Sequence, residues 1–270
     1  LTDKIGFVRR AHAHLIIFLL FAAFATLLLI FFFFFFYQQT QDIIEASCRN
    51  EAHILASRME SALRRIRASS ELVTENILQE ALSSPSAPAQ IIRINKRLNA
   101  LGRYFPEILG YVFFDPKGQA IFSSDPKSEK LNISDWLHLQ RFSNNSARGD
   151  IDFSETITIH TTQTRSIIAQ QALLDNNDRL LGIIATPIDL HYFENLFAQM
   201  GVGSEGMVSI RRSDTSKLVV RWPEVEAGLN KEAKDIPPQL QIQAGIEDGV
   251  VRYVGRTDGV DRIFAFHKIP

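Results

Sequence analysis

The sequence predicts an α+β protein carried on a membrane anchor. Three observations carry that expectation. An apolar run extends unbroken from Leu15 to Tyr37, and a stretch from Gln38 to about Leu82 contains neither Pro nor Gly. After a breaker cluster, short β segments then pair as antiparallel hairpins in two groups.

The anchor comes first. Leu15–Tyr37 is 23 residues without a charge, and its only polar groups are Thr26 and the Tyr37 hydroxyl. A helix of roughly 20 apolar residues spans the hydrocarbon core of a bilayer. A buried core helix is rarely apolar on every side for this length. A cleaved signal sequence has a shorter apolar region ending in small residues, whereas this run ends in Phe31–Phe36 and Tyr37. Lys4, Arg9 and Arg10 precede the span, and Asp42 and Glu45 follow it. The positive-inside rule therefore puts residues 1–14 in the cytoplasm and the chain from about residue 38 outside the membrane.

Residues 38–82 read as one long helix rich in Glu, Arg, Ala and Leu. Leu55, Met59, Ala62, Ile66, Ser69 and Val73 form a heptad seam. At 1.5 Å per residue the rod is about 65–70 Å long, so it packs along its own domain, pairs with a second copy, or both. Traced backward, the seam passes through Ala52 and Cys48. In a parallel homodimer the two Cys48 residues would approach and could bridge the chains; the alternative is a free thiol packed against its own domain. As the only cysteine, Cys48 excludes an intrachain disulfide and a Cys-cluster zinc site.

Ser83–Pro88 is a breaker cluster, followed by a helix over about Ala89–Leu101. Ile108–Phe114 and Gln119–Ser123 form a hairpin around Asp115-Pro116-Lys117-Gly118. Thr156–Ile159, Ile167–Leu174 and Leu180–Pro187 read as further strands, and Leu190–Met200 as a helix. A second β group starts near Gly201, with hairpins over Met207–Arg212/Leu218–Trp222 and Gly249–Arg256/Arg262–Ile269. These segments divide the chain into 1–14, 15–37, 38–82, a first lobe over 83–200 and a second over 201–270. The second lobe lacks a finishing strand and no second apolar span follows, so the expectation is an incomplete second lobe with its output domain outside these residues.

The segments Phe105–Ser124, Ile133-Ser134-Asp135-Trp136, Leu181–Leu190 with Tyr192-Phe193, Gly206–Arg212 with Val220–Pro223, and Asp258–Phe266 together resemble the double Cache family of bacterial extracytoplasmic sensors. They are most similar to the sensors on membrane-bound diguanylate cyclases. The resemblance covers about Gln38–Pro270. It implies two PAS-like lobes, a membrane-distal then a membrane-proximal one, and a small-molecule ligand in the distal lobe; the homodimer expectation rests on the heptad seam. The same sensor type sits on histidine kinases and chemoreceptors, and no GGDEF-type or kinase motif occurs in this chain. The cyclase output is thus inferred from the resemblance.

Catalytic signals are missing from the sequence. Gly201–Gly206 matches GxGxxG, but it follows a helix and precedes a strand, the reverse of a dinucleotide-binding turn. There is no Gly-x-Ser-x-Gly elbow or P-loop, and the seven histidines show no ligand spacing. No catalytic residue, cofactor or metal is expected. The net charge of −1 provides no field that favours nucleic acid.

Candidate ligand residues are Tyr111 and Trp136 as an aromatic wall, Arg165 as a cationic anchor and Asp189 as an acid. Each has a structural alternative: Trp136 as core filler, Asp189 as the N-cap before Leu190, and Arg165 as a solvated hairpin tip. The amino-acid-binding relatives carry an Arg two residues before the Trp and an aromatic directly after it. Ser134 and Leu137 stand at those positions, so an amino-acid ligand is not expected. The reading is a ligand sensor that signals inward; the rival from another class is a ligand-free anchored coiled-coil scaffold.

The charge asymmetry generates a test of topology. Protease added to intact spheroplasts is expected to digest the chain beyond about residue 40; protection until lysis would reverse the assignment.

Overall fold

The computed structural model describes residues 2–75, 88–125, 151–159, 163–175, 177–225, 228–256 and 258–269. Trp136, the loop segment around it, residues 76–82 of the expected rod and most of the breaker cluster lie outside the described residues. The chain divides into two compact units, Leu1–Glu51 and Ala52–Pro270.

The first unit is helical throughout, as part of α1 (Thr2–Val73). The helix is long and apolar enough to cross a membrane. Its large side chains from Ile16 to Tyr37 are exposed on all sides, a surface compatible with a membrane span. Phe31 stacks on Phe35, Phe32 on Phe36 and Phe33 on Tyr37. The Thr26 hydroxyl donates to the Ala22 carbonyl (2.9 Å), so the polar group inside the span is satisfied within the helix.

In the second unit, the later turns of α1 bury Ala56, Met59, Ala62, Ile66, Ser69, Ser70 and Val73. This is the expected heptad stripe, used against the chain's own domain. Regular α-helix is described as far as Val73, and the remainder of the rod expected to Leu82 lies from residue 76 on outside the described residues. Helix α2 (Pro88–Gly102) opens on a proline, whose missing N–H costs nothing in the first turn. It buries Ile94 and Leu98. Its Asn95 Oδ1 accepts from the Ser123 amide and its Asn99 amide donates to the Ser124 carbonyl, both 2.9 Å.

The first lobe is an antiparallel sheet of β1 (Val112–Phe114), β2 (Ala120–Ser123), β3 (Ile151–Phe153), β4 (Ile157–Ile159), β5 (Thr164–Leu174) and β6 (Leu180–Asp189), in the order β2-β1-β6-β5-β3, with β4 also paired to β5. At the β1–β2 turn, Asp115 Oδ1 accepts from the amides of Lys117 and Gln119, and Gly118 takes a φ of +83°. The expected strand over Ile108–Phe114 is shorter. Ile108 forms only an isolated bridge to Ile188, and regular pairing resumes at Val112 beyond Gly110. Helix α3 (Leu190–Ala198) follows β6 directly.

The second lobe comprises the hairpin β7 (Val208–Arg211)–β8 (Leu218–Trp222), helix α4 (Pro237–Gln243) and the hairpin β9 (Asp248–Val254)–β10 (Asp261–His267). The Gly201–Gly206 pattern connects α3 to β7, so it runs from helix to strand as the sequence indicates.

One apolar core runs through both lobes. Met59, Ala62, Ile66 and Val73 of α1, Ile94 and Leu98 of α2, Phe113, Phe122, Ile184 and Ile188 of the sheet, and Phe193 and Phe197 of α3 are continuous with Val208 and Val220 of the second lobe. Polar contacts join the lobes as well. Thr156 and Asn230 exchange two hydrogen bonds (Thr156 N to Asn230 Oδ1, 2.9 Å; Asn230 Nδ2 to Thr156 O, 2.7 Å), and Arg212 donates to the Phe153 carbonyl (2.5 Å).

Arg165 is the strongest of these ties. It stands at the start of β5 and donates to Glu194 of α3 and to Glu224 beyond β8, both at 2.6 Å. Arg165 and Glu194 are each 13% exposed, while Glu224 is 46% exposed. Removing one partner of a buried pair strands the other charge and costs about 3–5 kcal/mol; an exposed partner contributes about 0–1 kcal/mol. Arg165→Met is therefore expected to lower unfolding stability by about 3–5 kcal/mol, and Glu224→Gln by about 1 kcal/mol or less, in denaturant titrations. Equal, small losses for both would contradict this clamp.

Candidate functional site: the core-averted face of the first-lobe sheet

Strand alternation sorts the first-lobe side chains onto two faces. Tyr111, Phe113, Ala169, Leu173, Ile184 and Ile188 face α1–α3 and join the common core. Val112, Phe114, Ile168, Ala172, Ile183 and Ala185 form a separate apolar cluster on the other face. The register agrees: Val112 lies opposite Ala185, and Phe113 opposite Ile184.

Of the expected ligand residues that are described, Tyr111 and Arg165 lie on one face of the sheet and Asp189 on the other. Tyr111 is fully buried on the core side. Burial pushes its phenol above the ordinary tyrosine value; the Ser69 hydroxyl pulls it back and the Glu107 carboxylate adds to the rise. Its oxygen makes no hydrogen bond of ordinary geometry among the described residues, and the Ser69 hydroxyl donates its own proton to the Ile66 carbonyl. Arg165 alternates with Ile167 and Ala169 and so also turns toward the helices, where Glu194 and Glu224 occupy it. The reading of Arg165 as a solvated hairpin tip is corrected: β5 begins at Thr164 and the guanidinium is enclosed. Asp189 pairs with Ser166 across β5–β6 and lies on the opposite face from Arg165. It is the N-cap of α3, its Oδ1 accepting the His191 amide at 2.9 Å. Trp136 lies outside the described residues. Cys48 is a free, partly covered thiol in the first unit; burial, then Glu51 and Glu45, push its pKa up.

The core-averted face carries polar groups that were not singled out in the sequence. Ser166 is fully buried and Gln170 is 3% exposed. Both share their face with Ile168 and Ala172, and Gln170 stands opposite Ala185. The Gln170 Nε2 has no hydrogen-bond partner among the described residues. Leaving a buried amide donor unmade costs about 1–3 kcal/mol, so this donor needs an acceptor. The signal in the sequence was partial: Ser166, Gln170 and Gln171 interrupt the apolar run Ser166–Leu174, and only strand parity assigns the first two to one face. An apolar wall with a few inward polar groups is the chemistry of a small-ligand site. Among the described residues no cluster of three His, Cys, Asp or Glu could hold a metal.

No protein-family model and no curated protein matches the chain. Solved structures do. The extracellular domain of the putative histidine kinase rpHK1S-Z16 superposes with a TM-score of 0.73 at 18% identity, over 86% of this chain and 90% of that one. A domain of a putative sensory box/GGDEF family protein from Vibrio parahaemolyticus gives 0.58 at 13% identity, over 84% and 97%. The ligand-binding domain of the Pseudomonas fluorescens chemoreceptor CtaA, in complex with L-isoleucine, gives 0.56 at 15% identity, over 84% and 86%. Beyond Glu51, this chain has the fold of the Cache-type extracytoplasmic sensor domains of bacterial signalling receptors.

Proposed function

We propose that the chain is the sensing segment of a bacterial transmembrane receptor. In this reading a small molecule binds on the core-averted face of the first-lobe sheet. The observation that carries it is the unpartnered Gln170 amide, buried among Val112, Phe114, Ile168, Ala172, Ile183 and Ala185. The fold it shares with CtaA, a receptor domain solved with a small ligand, supports the same reading. Gln170 and Ser166 would orient the ligand, with Asp189 at the edge of the same face and Trp136 retained as a candidate aromatic wall. Tyr111 and Arg165 would act from the core side, as packing and clamp, without touching the ligand.

The output is proposed to be a diguanylate cyclase, supported by the sequence resemblance and by the likeness to the Vibrio GGDEF-family domain. A histidine kinase is the second reading, favoured by the likeness to rpHK1S-Z16. In either case, ligand acts only through unequal affinity for two states of the sensor.

Thermal unfolding of the full chain in detergent against a library of small metabolites tests the site. A ligand at about 100 times its Kd stabilises by about 2.7 kcal/mol, a readily measured rise in Tm. The rise is expected to vanish in Gln170→Ala. Asp189→Ala is expected to cost about 0.5–2 kcal/mol through the lost cap. A rise that persists in Gln170→Ala, or a library without any stabilising member, would overturn the reading.

A further inference from the structure

The second lobe collects arginines on one face. Val208 and Ile210 of β7 and Val220 of β8 pack into or against the common core, so Ser209, Arg211 and Arg221 alternate onto the other side; Ser209 and Arg221 are cross-strand partners. In the second hairpin, Tyr253 and Arg262 are cross-strand partners, and Phe264 shares their face. The Tyr253 ring stacks on Phe264 with centroids 4.3 Å apart. Burial pushes the Tyr253 phenol up, and the positive charges of Arg211, Arg256, Arg262 and Arg221 pull it down. The two hairpins therefore bring these side chains into one neighbourhood.

Cations exceed carboxylates there. Arg262 forks onto both oxygens of Asp258 (2.9 and 2.8 Å) and donates Nε–H to the Glu205 carbonyl. Asp258 is held down to about 2, first by Arg262. Arg221 reaches the same carboxylate at 3.3 Å. Arg256 is engaged by Asp235 at 2.6 Å. Among the described residues Arg211 donates to the carbonyls of Ser216 (3.0 Å) and Lys231 (3.5 Å) and to no carboxylate. Arg221 and Arg262 thus share Asp258, and Arg211 adds a third cation nearby; even with Glu205, whose charge also acts on Arg262, positive charge is in excess. Arg221 is 10% exposed, and its buried Nε–H has no partner among the described residues. A desolvated guanidinium donor without an acceptor is costly, and a bound anion would remove that cost.

We propose that this face of the second lobe binds a small organic carboxylate, separate from the ligand of the first lobe. The carboxylate would accept from Arg221 Nε–H and from Arg211, with the Tyr253 hydroxyl as a further donor. The Tyr253–Phe264 stack provides an apolar wall for the body of the molecule, which distinguishes an organic acid from inorganic phosphate. Two anion donors on different strands of one hairpin, facing an aromatic pair on the other, would make binding sensitive to how the hairpins sit against each other.

The test uses the full chain in detergent, with acetate, succinate, benzoate and inorganic phosphate titrated at constant ionic strength. Fluorescence of Trp222, the neighbour of Arg221, is read in a Trp136→Phe background alongside calorimetry. At least one carboxylate is expected to bind saturably. Arg221→Gln and Arg211→Gln are each expected to weaken it by about ten- to a hundredfold, and Gln170→Ala to leave it unchanged. If Arg221→Gln does not fold, Arg211→Gln, which breaks no ion pair in the structure, decides alone. Binding of none of the carboxylates, binding of phosphate only, equal affinity in the arginine variants, or loss in Gln170→Ala would each overturn the proposal.

Discussion

The buried seam of α1 is the constraint on which the rest of the second unit depends. The sheet of the first lobe has one face that must be covered, and α1, α2 and α3 cover it. Small residues make the approach close. Ala56, Ala62, Ser69 and Ser70 of α1 are all buried, and Ser70 comes within 3.4 Å of Thr186 on β6, hydroxyl to hydroxyl. Ile66 and Met59 supply the apolar bulk between them; fully burying a side chain of that size contributes about 1.5–3 kcal/mol. Arg65, beside the seam, donates to the fully buried Glu107 at 2.8 Å. The helix that carries this seam also carries the apolar span. The first-lobe sheet is thus packed directly on the later turns of α1.

The second lobe is held by the same core and by a polar belt. Val208 and Val220 enter the core from the hairpin β7–β8, while Arg165, Arg212 and the Thr156–Asn230 pair cross between lobes. Arg212 is itself fixed by Asp214, whose carboxyl it holds down to about 2. That carboxylate's folded pKa lies below its unfolded value of about 3.9. Its contribution is therefore present above about pH 4 and is lost as pH falls through about 2. Across the neutral range the Arg212–Asp214 pair keeps its charge.

Much of this fold was legible because it rests on periodicity. The heptad stripe of α1, the β1–β2 turn at Asp115–Gly118 and the β5–β6 ladder all announce themselves through spacing or turn chemistry. Three-residue β3 did not, since Ile151–Phe153 follows a run of Asn, Ser and Gly that reads as loop. Helix α4 is short and opens on two prolines, which signal a break before they signal a helix. The candidate site was less legible. Tyr111, Arg165 and Asp189 were grouped by residue type, but a side chain's face follows from parity and register, and these place Asp189 across the sheet from the other two. The position of Asp189 before Leu190 also reads as a helix cap, and that is where its carboxylate is found. The arginine face of the second lobe could not be read from sequence, because Arg211, Arg221 and Arg262 meet only through two separate hairpins.

Both lobes fold on one helix as a single cooperative body, so that a change at either sheet is felt by the later turns of α1. The chain's two tryptophans allow a direct measurement. Trp222 lies in the second lobe and Trp136 in the chain between β2 and β3. Urea unfolding of the full chain in detergent is followed by fluorescence in Trp136→Phe, which reports Trp222, and in Trp222→Phe, which reports Trp136, with circular dichroism correcting for each variant's own stability. The shared core predicts that fluorescence and circular dichroism transitions coincide in both variants. A fluorescence transition displaced from the loss of helix in either variant would mean that the lobes unfold separately, and would contradict it.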